Sequence, residues 1–171
     1  GDEDDGVDEL FVYGLDTSDD TFLLRSSRDI PDQAGAESRP GFVALLHGNP
    51  ATYRDIDANT NASLDVVRIN YDRSINGRLT VEGRGGNDGF FVDDVTVATA
   101  LDGGAGNDTI QIGQIFGSKR DVPAGLLPWD VFPDLIATTR GWLSPGINAP
   151  LVAHGGTGSD TYVVNEAGDV V

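Results

Sequence analysis

The 171-residue chain contains no cysteine. That excludes a disulfide framework and any thiol or thiolate–metal chemistry. Methionine is absent too and the chain begins at Gly1, so it reads as an excerpt or a processed piece. Basic residues are scarce: 11 Lys and Arg, with Lys119 the only lysine, stand against 28 acidic residues, for a net charge of −17. A chain this acidic, with no basic patch, is repelled by a phosphate backbone, which argues against nucleic acid as a partner. No apolar run approaches the length that spans a bilayer, and no signal peptide is visible. Catalytic constellations are equally thin. The two histidines, His47 and His154, lie more than 100 residues apart. There is no HExxH zinc motif and no phosphate loop. Ser144, in Trp-Leu-Ser-Pro-Gly, lacks the Gly-x-Ser-x-Gly setting of a nucleophile elbow. The acidic pairs Asp4/Asp5, Asp19/Asp20 and Asp93/Asp94 read as solvated chance neighbours in so acidic a chain. No catalytic residue is expected, and the chain is not read as an enzyme.

Glycine is what the chain has in quantity, 23 residues in all. Three nonapeptides concentrate it: Gly-Arg-Gly-Gly-Asn-Asp-Gly-Phe-Phe at 83–91, Gly-Gly-Ala-Gly-Asn-Asp-Thr-Ile-Gln at 103–111 and Gly-Gly-Thr-Gly-Ser-Asp-Thr-Tyr-Val at 155–163. Each fits G-G-x-G-x-D-x-U-x, with U a large apolar residue, and Arg84 alone breaks the pattern. That order signals a parallel β-roll whose turns bind Ca²⁺. Glycines allow positive φ and turn carbonyl oxygens inward. Ca²⁺ takes six to eight oxygens, from backbone carbonyls and carboxylates alike. The expected metal-binding residues are therefore Gly83, Gly85 and Asp88, Gly103, Ala105 and Asp108, and Gly155, Thr157 and Asp160. The eighth-position Phe90, Ile110 and Tyr162 should point into the coil. Turns rich in Asn, Asp and Gly also form without any metal, but turn chemistry alone does not demand one nine-residue order three times.

These nonapeptides resemble the haemolysin-type calcium-binding repeats of RTX proteins. The stretch 64–164 also resembles repeat segments of very large bacterial calcium-binding surface proteins. The resemblance implies a β-solenoid, Ca²⁺ as the bound ion and an extracellular or cell-surface setting. It implies neither a toxin nor an enzyme, because such repeats accompany many unrelated activities. The net charge agrees, since a compact domain this acidic repels itself unless cations neutralise it.

The rest of the chain is read as coils and excursions within one domain, as its length suggests. Residues 9–14 and 20–25 read as strands. Asp20 and Phe22 align with the sixth and eighth positions of a degenerate copy, which makes Asp20 a further expected metal-binding residue, and Asp8 and Leu10 align with those of another. Residues 26–40, with Pro31 and Pro40, read as a loop, followed by an apolar run at 41–47. Further strands are expected at 65–71, 78–82, 89–93, 95–101 and 109–112. Residues 1–63 then hold degenerate coils and loops, 64–112 regular coils, 113–153 an insertion and 154–171 the final coil. The insertion holds Trp129, Trp142, Pro123, Pro128, Pro133, Pro145 and Pro150. It reads either as a flank-covering excursion or as a binding loop. Asp55, Asp57 and Asn59 sit at the first, third and fifth positions of an EF-hand-like loop, but Thr60 and Val66 replace its glycine and its closing glutamate.

The expected fold is thus all-β, a parallel β-solenoid of about five or six coils with one excursion. The expected function is a Ca²⁺-rigidified structural module of an extracellular surface or filament protein, stacking end to end with neighbouring repeats or copies of itself. The alternatives are an adhesin module binding a surface glycan through 113–153, and a solenoid carbohydrate-active enzyme domain.

Overall fold

The structure, a computed structural model, describes residues 6–26, 41–47, 66–117 and 135–165. Its elements are all strands: β1 (Leu10–Tyr13), β2 (Asp20–Ser26), β3 (Gly41–His47), β4 (Val66–Tyr71), β5 (Leu79–Glu82), β6 (Gly89–Val92), β7 (Thr99–Asp102), β8 (Thr109–Ile112), β9 (Ile115–Phe116), β10 (Ile136–Thr138), β11 (Gly141–Leu143), β12 (Leu151–His154) and β13 (Thr161–Val164). Among the described residues no helix is long and apolar enough to cross a membrane.

Short strands and tight turns generate two stacks. A first sheet, in the order β1-β5-β7-β12, is parallel throughout. A second sheet runs β13-β8-β6-β2-β3-β4 and is parallel from β13 to β2. Alternate side chains of each strand point inward and stand in columns: Leu10, Leu79, Thr99 and Leu151 in the first sheet, Phe22, Phe90, Ile110 and Tyr162 in the second. Phe22 and Phe90 stack at 4.8 Å between ring centroids, and neither is exposed at all. Each ring contributes about 1.5–3 kcal/mol through burial, and the stacked pair about 0.5–1.5 kcal/mol more.

A single parallel solenoid is not what forms. β3 lies antiparallel to β2 over seven residue pairs from Asp20↔His47 to Ser26↔Gly41, and β4 lies antiparallel to β3. β9, β10 and β11 form a separate antiparallel sheet. The expected five or six parallel coils reduce to the four parallel strands of the first sheet and their partners. The rung strands have four residues and then a corner, whereas β2 and β3 have seven each, and β2 runs on past the four residues that it pairs with β6. The second edge of β2 is taken by the antiparallel β3 instead of a further parallel rung.

Three local expectations also change. The segment 95–101 is not one strand: residues 93–97 form a buried corner and the strand begins at Thr99. Leu10 pairs with Leu79 in the first sheet, so the register that places Asp8 and Leu10 at the sixth and eighth positions does not hold. Tyr162 stands in the inward column but is 53% exposed, because β13 is the last strand of its sheet. Of the excursion, the described part includes the small antiparallel sheet, with Trp142 half-buried and paired across to Ala137 and Phe116. Its last residues, from Leu151, already belong to the first sheet. Trp129 and the EF-hand-like Asp55, Asp57 and Asn59 lie outside the described residues.

Candidate metal centre

The turns that connect the two sheets hold the candidate residues. Each opens on a glycine directly after a first-sheet strand: Gly14, Gly83, Gly103 and Gly155. Each closes on an aspartate at the entry to a second-sheet strand: Asp20, Asp88, Asp108 and Asp160. Parallel stacking brings these aspartates into one column. Asp20 N–H donates to Asp88 Oδ1 at 2.8 Å, Asp88 N–H to Asp108 Oδ1 at 2.7 Å and Asp108 N–H to Asp160 Oδ1 at 3.1 Å. One carboxylate oxygen per turn is therefore spent on fixing the turn before it.

The second oxygen is what distinguishes these groups. Asp88 Oδ2 and Asp108 Oδ2 are buried with no hydrogen-bond partner among the described residues, and the two residues are only 2% and 1% exposed. A Cβ on Gly83 would collide with Asp88 Oδ2 and stand 2.7 Å from Gly103 O. A Cβ on Gly103 would collide with Asp108 Oδ2 and stand 2.5 Å from Gly155 O. In both turns an orphaned carboxylate oxygen and a carbonyl of the next turn converge beside a residue that must be glycine. Asp20 differs: its Oδ2 accepts Leu15 N–H at 2.6 Å.

The electrostatics follow from this. Burial pushes the Asp88 carboxyl up to about 6, against the lowering effect of Asp20 N–H, and the charges of Asp108, Asp20 and Asp19 add to the rise. Asp108 is raised for the same first reason, with Asp160 and Asp102 adding charge. A buried, under-bonded carboxylate is costly as an anion unless a cation or donor meets it.

The remaining expected ligands are placed as follows. Gly85, Ala105 and Thr157 form the next column, joined by isolated parallel bridges. Ala105 O and Thr157 O already accept the amides of Gly86 and Gly106, at 3.0 and 2.9 Å. Among the described residues no group of three or more His, Cys, Asp or Glu could hold a metal. Any ion here would rest on paired carboxylates and backbone carbonyls, which is the donor chemistry of a hard cation such as Ca²⁺.

Arg84 sits at φ +74°, where Gly104 and Gly156 hold +92° in the same column. A non-glycine residue there is strained by roughly 1–3 kcal/mol. Its guanidinium lies 4.4 Å over the Tyr13 ring and 3.4 Å from Asp16.

Two features escaped the sequence reading. A second column, Asp19, Asn87, Asn107 and Ser159, ties the turns together: Asn87 N–H donates to Asp19 Oδ1 at 2.7 Å, Asn107 N–H to Asn87 Oδ1 at 2.9 Å and Ser159 N–H to Asn107 Oδ1 at 2.8 Å. The repeated Asn at the fifth motif position was its signal. Asp93 and Asp94, read as solvated, are buried at the opposite corner. Asp93 pairs with Arg25 at 2.8 Å. Asp94 accepts from Ser26 Oγ, Val95 N–H at 2.8 Å and both Asn148 donors, at 2.8 and 2.7 Å. Their signal was position, directly after a four-residue strand. Ser144 is buried, and its hydroxyl accepts Gln114 N–H at 2.9 Å, a structural use. His154 is exposed beside Asp102 in the first sheet.

No family model, curated protein or solved structure matches this chain.

Proposed function

We propose that this chain is a Ca²⁺-binding structural module of an extracellular surface or filament protein, whose stacked turns close on the ion. The observation that carries this reading is the pair of buried, partnerless oxygens, Asp88 Oδ2 and Asp108 Oδ2, each facing a carbonyl of the next turn across a glycine. Asp88 with Gly103 O, and Asp108 with Gly155 O, would hold the ion. The ion would supply the positive charge that the column lacks. The chain's own part is to exclude water, to fix the carboxylates through the Oδ1 bonds and to bring successive turns into register.

Folding is then coupled to the metal. Where Ca²⁺ is abundant, outside the cell, the turns close. Where it is scarce, the column repels itself and the net charge of −17 opposes compaction. The outer edge of β2 is already taken by β3, so a further unit could continue both sheets only from the β12/β13 end. The test is calorimetric titration with Ca²⁺ alongside far-ultraviolet circular dichroism. Binding with a gain of β signal is expected. No heat and no spectral change at millimolar Ca²⁺ would refute the reading.

A further inference from the structure

The two sheets end unequally. β1 and β2 belong to one rung, but the second sheet continues for two more strands past β2 while the first sheet stops at β1. The place that a strand beside β1 would occupy is flanked by an open cleft lined by Leu10, Ile69, Tyr71 and Ile75.

The edge of β1 is also chemically ready. Leu10 N–H donates to Arg78 O and Gly14 N–H to Glu82 O, both toward β5. Amide direction alternates along a strand, so Phe11 and Tyr13 turn their N–H and C=O groups to the free edge. The outward side chains there are apolar: Val7, Phe11, Tyr13 and Leu15 are 74, 48, 45 and 51% exposed. At the matching positions of β5 and β7 stand Thr80, Glu82, Ala100 and Asp102. Among the described residues β1 therefore has apolar side chains on both faces and an unpaired backbone between them. Such an edge invites strand addition unless it is covered or charged. At its N-terminal end the rim is acidic, with Asp8 and Glu9 exposed, whereas at the other end Arg84 already meets Asp16 and covers Tyr13.

We propose that the free edge of β1 is a docking site for an extended peptide segment of another protein. The segment adds as a strand to the first sheet, places alternate apolar side chains in the cleft beside Leu10 and Ile69, and carries Lys or Arg where it meets Asp8 and Glu9. Main-chain bonds to Phe11 and Tyr13 supply affinity, and the cleft supplies selectivity for side chains, as in strand addition elsewhere. This site is separate from the turns and does not depend on the reading of them.

The test uses the whole chain in saturating Ca²⁺ and a fluorescent synthetic peptide, Lys-Val-Thr-Val-Thr-Val-Lys, followed by anisotropy. Saturable micromolar binding is expected. The same peptide N-methylated at alternate residues should lose at least tenfold, since it cannot form the ladder. Phe11→Pro removes an edge donor that β5 does not use, and should cause a similar loss. Ile75→Asp, in the cleft, gives an independent check if the proline variant fails to fold. Absence of binding at 1 mM peptide, equal binding of the N-methylated peptide, or equal binding of a Glu-flanked peptide would each overturn the proposal. So would sedimentation showing that the free chain closes this edge by dimerising through Phe11.

Discussion

The turn at 14–20 and the turns at 83–88 and 103–108 occupy the same place in successive rungs, yet they are held by different forces. The register offset falls from 69 at Leu10↔Leu79 to 68 at Phe22↔Phe90, so the first turn carries one extra residue. It has no glycine after Gly14. It closes on itself through Leu15 N–H to Asp20 Oδ2, and it borrows a cation from the neighbouring turn through Arg84 and Asp16. The other two turns keep the glycines, Arg84 apart, and leave Asp88 Oδ2 and Asp108 Oδ2 without a donor among the described residues. Where the motif degenerates, protein groups supply what the carboxylate needs. Where it is intact, the need is left open for something from outside the chain.

The largest effect expected from the proposed reading is Ca²⁺ dependence of the whole fold. A ligand bound only to the folded state at about 100 times its Kd stabilises by about 2.7 kcal/mol, which for a domain of this size is roughly 5–10 °C in Tm. Excess chelator should therefore lower Tm by at least this amount per ion lost, read by differential scanning calorimetry. A melt that ignores the chelator would remove the distinction between the turns.

Point substitutions separate the turns next. Asp108→Ala and Asp88→Ala should each weaken Ca²⁺ binding at least tenfold in a calorimetric titration. Asp20→Ala should change affinity by less than about twofold, yet cost about 1–3 kcal/mol of stability with or without Ca²⁺, because it deletes a charged hydrogen bond. Equal affinities for all three variants would erase the proposed difference.

Proton linkage gives a smaller effect with a definite sign. The folded-state value of Asp88 is about 6, above its ordinary 3.8. The folded form thus holds its proton more tightly than the unfolded form, and the apo protein gains stability as pH falls from 7 through 6 toward 4. Protons compete with the metal, so Ca²⁺ affinity should fall over the same range. Melts at pH 5 and pH 7, in chelator and in Ca²⁺, should converge at the acid end. Apo stability that drops on acidification from 7 to 5 would contradict the burial argument.

The smallest effect is expected at Arg84. Arg84→Gly restores the motif glycine and relieves strain at φ +74°. It also removes an exposed ion pair worth about 0–1 kcal/mol and the contact with Tyr13. The two nearly cancel, so Tm should move by no more than about 3 °C and Ca²⁺ affinity should hold.

How much of this was legible in the sequence depended on range. The turn-to-strand units at 83–92, 103–112 and 155–164 were readable because glycine, Asp and an alternating apolar residue fix them locally. The alignment of Asp20 and Phe22 with that pattern was readable despite the missing glycines, and the structure sets them in the columns of Asp88 and Phe90. The reversal into β3 and β4 was not, because an apolar seven-residue run serves a parallel or an antiparallel neighbour equally well. The burial of Asp93 and Asp94 escaped for a similar reason. Their partners Arg25, Ser26 and Asn148 are brought in by the fold and stand far away in sequence. Tyr162 carries an inward residue's identity, and only its place at the end of the stack leaves it exposed.

The reversal at β2 also sets an order of assembly. Phe22 meets Leu45 across the antiparallel pair but must wait for Phe90 across the parallel one. The nearer contact closes a shorter loop at lower entropic cost. The β2–β3–β4 meander lies outside the turns proposed to bind the ion, so on that reading it can nucleate while the rest of the chain is still loose. Each later rung then adds to an existing edge, and the proposed metal would enter only as elongation proceeds.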